Sequence, residues 1–84
     1  MPVKTNTIDR ILEILKPEFP DSLVDVTPSG IRDNIHVKVV SRRFDGMKLR
    51  QREELLWGFI DESDLSRKDK SRISLLLALS PDEL

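Results

Sequence analysis

The first hydrophobic pattern along the chain is helical. Apolar side chains recur at three- and four-residue spacing at Ile8, Ile11, Leu12 and Leu15. Asn6 or Thr7 is predicted to cap this helix, because such side chains accept hydrogen bonds from the free N–H groups of a first helical turn. Pro17 is expected to end the helix near Leu15, since the residue before a proline disfavours helical geometry.

Alternating patterns, which are typical of β-strands, follow the first helix. They cover Leu23 to Thr27 and Ile35 to Ser41. The turn-forming residues between these segments predict that the two strands pair as a hairpin. A continuous apolar run from Ile73 to Leu79 predicts a third strand that is buried on both faces, although periodicity alone leaves a helix open.

A second helix is predicted between the hairpin and the third strand. Its apolar stripe consists of Leu49, Leu56, Phe59 and Ile60. Trp57 lies just off this stripe, so it is either a core residue or an exposed anchor for a partner. The residues Ser80 and Pro81 are typical of a helix start. The order α-β-β-α-β predicts an α+β two-layer sandwich, in which both helices pack on one face of a three-stranded mixed sheet.

Composition limits the function classes. The 84 residues, with a net charge of −1, predict a single domain over residues 1–84, with residues 1–5 disordered. The chain has no cysteine, which excludes a disulfide framework, a cysteine zinc site and a thiol nucleophile. No apolar run approaches the ~20 residues that span a bilayer, and we expect a cytoplasmic protein without membrane contact.

Catalytic and metal signals are weak. Acidic residues occur as adjacent pairs, whose members do not face one another on a helix or strand. Ser41 has no visible histidine base, and no nucleotide-binding glycine loop is present. His36 is the only histidine, and a metal site needs several ligands. We predict no enzyme activity, no catalytic residue and no metal ligand.

A basic cluster suggests one binding function. Its members are Arg42, Arg43, Lys48, Arg50 and Arg52. Arginine pairs bidentately with phosphate, so this cluster could contact nucleic acid, whereas the alternative interpretation is a solvated charged face. A KH-type RNA clamp would need a Gly-x-x-Gly loop, and the glycines at 30, 46 and 58 are never three residues apart.

One stretch resembles a known family. The order aromatic, acidic, glycine, then leucine and arginine on a helix is carried by Phe44-Asp45-Gly46-Met47-Lys48-Leu49-Arg50-Gln51-Arg52. Following a strand that ends at Ser41, this order resembles the BolA family, and the ending Ser80 to Leu84 is similar to the family's closing stretch. The resemblance implies a fold related to the class II KH fold. It also implies structural roles for Ser41, Phe44, Gly46, Leu49 and Arg52.

BolA membership would imply a monothiol glutaredoxin as partner, with a shared [2Fe-2S] cluster and a role in iron homeostasis. Some members are described as DNA-binding transcriptional regulators. Arg72 occupies the position of the family's cluster-ligating histidine, and the loop from Thr27 to Asn34 contains neither histidine nor cysteine. Arginine has no lone pair to offer iron. A cluster, if any, would therefore be supplied by the partner and not by this chain.

These observations together predict a non-enzymatic interaction domain that docks onto a glutaredoxin-type partner without a histidine ligand. The alternative is a regulatory module that binds nucleic acid. The candidate contact residues are Arg42, Arg43, Lys48, Arg50, Trp57 and Arg72. Arg52 is expected to bond to backbone carbonyls or to a carboxylate such as Asp45. The oligomeric state is predicted to be a monomer or a weak homodimer.

Overall fold

The computed structural model describes residues 3–20 and 22–84. Its helices are α1 (Val3–Leu15), α2 (Leu49–Glu62) and α3 (Arg67–Ser71), and its strands are β1 (Leu23–Pro28), β2 (Ile35–Val40) and β3 (Ile73–Leu79). Single turns of 3-10 helix cover Lys16–Glu18, Arg42–Phe44 and Pro81–Glu83. The predicted order α-β-β-α-β is confirmed, and α3 adds a short helix to the charged segment before β3.

The three strands form one mixed sheet in the order β1-β2-β3. β1 and β2 pair antiparallel, with Val26 opposite Val37, which confirms the predicted hairpin. β2 and β3 run parallel, with a bulge at the start of the pairing between Ile35 and His36. Parallel neighbours need a long crossover, and the segment containing α2 and α3 provides it.

The hydrophobic core lies between the sheet and the helices α1 and α2. The central strand contributes Ile35, Val37 and Val39, all fully buried. Phe19 joins α1 to α2, because its ring lies 5.5 Å from that of Phe44 and 5.9 Å from that of Phe59. The architecture is therefore the predicted α+β arrangement. In the described ranges, no helix is long and apolar enough to cross a membrane.

Two burial predictions were wrong. β3 is not buried on both faces, since Leu75 and Leu77 are 46% and 37% exposed. The helices cover only one face of the sheet, and alternate side chains of β3 point to the other face. Leu49 does not join the apolar stripe of α2 and is 69% exposed. The core position of that first turn is taken by Arg52, which is 5% exposed.

The start of α1 was also predicted too late. The helix begins at Val3, and Thr7 is a buried residue within it, not a cap. The segment from Val3 to Thr7 contains neither glycine nor proline, so nothing in it breaks the helix. Met1, Pro2 and Asp21 lie outside the described residues.

Candidate functional site

The predicted contact residues lie at opposite ends of the sheet. Arg42 and Arg43 follow the carboxyl end of β2, and the first turn of α2 approaches the same end of β3 through Arg52. Arg72 precedes β3 at the opposite end, where its carbonyl accepts a hydrogen bond from Ile35 N at 2.7 Å. A strand of this length separates the two ends by roughly 20 Å. The structure thus divides the candidates into two sites.

Arg52 is the best-anchored of these cations. Its Nε donates to Met47 O at 3.0 Å, and its Nη1 donates to Ala78 O at 3.2 Å. Its two terminal nitrogens also bind both carboxylate oxygens of Glu83, at 2.6 and 3.0 Å. The predicted carbonyl contacts are thus present, and the carboxylate partner is Glu83, whereas Asp45 was the predicted candidate. Arg52 therefore fastens α2 to the end of β3.

Glu83 connects this arginine to the last turn of the chain. Its Oε1 also accepts from Ser80 N at 2.7 Å, and the hydroxyl of Ser80 donates to Asp45. We refer to Arg52, Glu83, Ser80 and Asp45 as the Arg52 network. The hydrogen bonds from Arg52 lower the pKa of Glu83, with a further contribution from Ser80 N, and the bond to Glu83 raises the pKa of Arg52. Both groups are held in their charged forms.

The turn before α2 depends on a glycine. Gly46 has a φ of +76°, a conformation that residues with a side chain rarely adopt. Phe44 before it is fully buried, and Ser41 Oγ accepts a hydrogen bond from Arg43 N at 3.1 Å. These contacts set the path of the chain from β2 into α2. The family-like motif thus coincides with a turn whose shape is fixed by packing and hydrogen bonds.

The basic cluster is largely occupied by internal contacts. The guanidinium of Arg43 stacks 5.2 Å from the ring of Phe19 and 5.3 Å from that of Phe59, and it donates to Glu18 O. Arg42 lies 3.5 Å from Asp45 and 3.8 Å from Asp82. The remaining exposed cations are Lys48 and Arg50, which form no ion pair with residues in the described ranges. Few charges of the cluster are therefore free to meet phosphates.

An open cleft of about 580 Å³ lies beside this cluster. Its apolar lining includes Leu23, Val40 and Pro81, and the two arginines Arg42 and Arg43 also border it. The cleft opens to solvent and is not an enclosed ligand cavity. Trp57, by contrast, lies half-buried against the core from α2, so both of its predicted environments are partly met.

The opposite end of the sheet is organised by Arg72. Its Nη1 lies 3.6 Å from Asp69 Oδ1 and 3.5 Å from Thr7 Oγ1, and its side chain is 12% exposed. Thr7 Oγ1 in turn donates to Asp69 Oδ1 at 3.2 Å. We call Thr7, Asp69 and Arg72 the Arg72 cluster. It joins α1 to the segment that leads from α3 into β3, so Arg72 has a structural role.

This donor set does not fit an iron-sulfur cluster. Arg72 offers no lone pair, and His36 lies on the face of the sheet that the helices leave open. No group of three or more histidine, cysteine, aspartate or glutamate side chains that could hold a metal occurs within the described ranges. Arg72 itself therefore cannot serve as a ligand for such a cluster.

Several contacting residues were not predicted from the sequence. Glu83 carried a usable signal, because a glutamate three residues after Ser80 is typical of a capping box. Thr7 and Asp69 carried none, since they meet across 62 positions of the chain. Local sequence patterns do not contain contacts at that separation.

Comparison with solved structures identifies the fold. The chain superposes on BolA1 from Arabidopsis thaliana with a TM-score of 0.67 and 24% identity, covering 94% of this chain and 96% of that one. The BolA domain of SufE1 from the same plant gives a TM-score of 0.69 and 22% identity, covering 92% and 94%. The fold is that of BolA proteins.

A BolA-like protein from Rickettsia prowazekii is similar too, with a TM-score of 0.62, 22% identity, and coverage of 86% and 91%. No protein-family model matches the sequence, and a search of curated proteins finds no relative. The likeness to BolA proteins is therefore a likeness of structure. The fold prediction is confirmed.

Proposed function

We propose that this chain is a non-enzymatic BolA-type interaction domain that docks onto a monothiol-glutaredoxin-type partner in iron homeostasis and contributes no ligand to that partner's [2Fe-2S] cluster. The BolA fold over more than nine-tenths of the chain supports an interaction role. The environment of Arg72 supports the absence of a cluster ligand in this chain.

Arg72 replaces the histidine that the BolA resemblance implies as a cluster ligand. Its side chain is 12% exposed, and its guanidinium turns toward Asp69 and Thr7. A guanidinium stays protonated and donates hydrogen bonds only, so Arg72 cannot bind iron. In this chain, binding to the partner therefore does not involve ligation of the partner's cluster.

The nucleic-acid alternative has less support. Nucleic-acid affinity grows with the number of phosphates that free cations neutralise. Arg43 and Arg52 are committed to aromatic rings, carbonyls and Glu83, and Arg42 lies near two carboxylates. The net charge of −1 adds no general attraction. We therefore retain the protein partner as the function that the geometry favours.

The test compares the natural chain with Arg72→His, each mixed with a cluster-loaded monothiol glutaredoxin under anaerobic conditions. We expect both chains to bind, and only the variant to change the visible absorption of the cluster, because it restores an imidazole. Circular dichroism checks that the variant folds. If neither folded chain bound the glutaredoxin, the proposed partner would be rejected.

A further inference from the structure

The outer edge of β3 differs from the other edge of the sheet. Edge strands expose unpaired backbone groups, and proteins usually protect them with charges or proline. β1 has such protection, because it contains Asp25 and ends at Pro28. β3 contains no charged residue and no proline, and in the described ranges it pairs only with β2. β3 therefore presents a free, uncharged edge.

Hydrogen bonds define which peptide groups of β3 face outward. Leu79 O accepts from Ser41 N and so points toward the β2 side of the strand. Ala78 O points the other way, since it accepts from Arg52. Peptide groups alternate in direction along a strand, so the N–H and C=O of Leu76 also face the outer edge. The middle of β3 thus offers one donor and one acceptor.

From this geometry we infer that β3 pairs antiparallel with β3 of a second copy of the chain, around a two-fold axis at Leu76. The two Leu76 residues exchange both of their outward hydrogen bonds. On the open face of the sheet, Leu75 then lies opposite Leu77 of the partner subunit. Directly opposed aliphatic side chains stabilise such a pair, and the contact covers side chains that are 46% and 37% exposed in the single chain.

Charge disfavours one competing arrangement, in which the two open faces stack about an axis through Lys38. Lys38 occupies the centre of the open face, between Asp25 on β1 and Leu77 on β3. A two-fold axis in the plane of the stacked faces would place Lys38 against Lys38 of the partner subunit, which is unfavourable in a desolvated contact. Pairing along β3 opposes no like charges, because the strand contains no charged residue.

The dimer is a weak one. Ser74 is the extra residue of the bulge at the start of β3, and the Ala78 carbonyl already accepts from Arg52, so the regular edge is short. Pairing of one short strand buries much less than the ~800 Å² per partner of a standard interface. We expect exchange between monomer and dimer across the micromolar to millimolar range.

Sedimentation velocity between about 10 µM and about 1 mM tests the inference on the purified chain. The sedimentation coefficient is expected to rise with concentration. Leu75→Lys combined with Leu77→Lys should abolish the rise, because two lysines then face each other across the axis. Leu75→Lys combined with Leu77→Glu should restore it, since this register opposes lysine to glutamate. Leu23→Lys on β1 is the matched control and should leave the association unchanged.

Circular dichroism establishes that each variant is folded before its association is compared. A natural chain that stays monomeric throughout the concentration range would overturn the inference. It would also be overturned if Leu23→Lys abolished the association, which would indicate contact through the open face. Equal behaviour of the two folded double variants would reject the antiparallel register at Leu76.

Discussion

Arg52 and Glu83 form a bidentate ion pair, with nitrogen–oxygen distances of 2.6 and 3.0 Å between the guanidinium and the carboxylate. The arginine side chain is 6% exposed and the glutamate side chain 42% exposed. The pair connects the first turns of α2 to the segment that follows β3. It stabilises the carboxyl end of the sheet, where the family-like motif also lies.

Replacing Glu83 by glutamine should lower the melting temperature at neutral pH, because the charged pair with Arg52 is lost. The folded state lowers the pKa of Glu83, so its stabilising effect is complete above the ordinary pKa of a glutamate and is lost as the pH falls through the lowered folded value. The difference in melting temperature between natural chain and variant should therefore shrink below about pH 4.5.

Thermal unfolding followed by circular dichroism from pH 3 to pH 7 measures this difference. Asp82→Asn is a suitable control, since Asp82 is an exposed neighbour with a single long ion pair to Arg42. If the difference in melting temperature between the natural chain and Glu83→Gln stayed constant across this pH range, the assigned charge interaction would be contradicted.

Substitution of Gly46 and of Gly58 by alanine should change the free energy of unfolding in opposite directions. Gly46→Ala should destabilise the fold by about 1 kcal/mol, because its φ of +76° is unfavourable for a residue with a side chain. Gly58→Ala, inside α2, should stabilise it by about 0.5–1 kcal/mol through helix propensity. An added Cβ meets nothing within 4 Å at either position, so the backbone alone decides. Urea denaturation measures both changes in unfolding free energy, and changes of the same sign would contradict the prediction.

Arg43 and Arg50 test whether the basic cluster is structural. Arg43→Ala should cost about 1 kcal/mol of unfolding free energy, because it removes the stacking on Phe19 and Phe59. Arg50→Ala should change stability by less than about 0.5 kcal/mol, as expected for an exposed side chain. Chemical denaturation of both variants checks this. A neutral Arg43→Ala would mean that the stacking contributes nothing.

The elements of this fold could be predicted from sequence because each depends on local signals. Pro17 sets the end of α1 at Leu15, and the apolar run from Ile73 to Leu79 is β3 in full. Burial was predicted less well, because it depends on which face the helices cover. The run in β3 reads as buried on both sides, yet Leu75 and Leu77 point to the uncovered face.

The candidate site could be predicted only in part. The motif from Phe44 to Arg52 correctly marks a glycine-dependent turn and an inward arginine. The partners of the two key arginines could not be identified, since Glu83 lies 31 positions from Arg52 and Thr7 lies 65 positions from Arg72. Such pairs arise only when the sheet and helices are assembled. Sequence alone also groups five cations with Trp57 as candidate contacts, whereas the fold separates Arg72 from the other four cations.

The central claim is that this chain docks onto a glutaredoxin-type partner without ligating its cluster. The most direct test is an anaerobic titration of the ¹⁵N-labelled chain with a cluster-loaded monothiol glutaredoxin, followed by NMR and visible absorption in the same samples. We predict shifts of amide signals in this chain and an unchanged cluster spectrum. An altered cluster spectrum would contradict docking without ligation, and the absence of any amide shift would contradict docking itself.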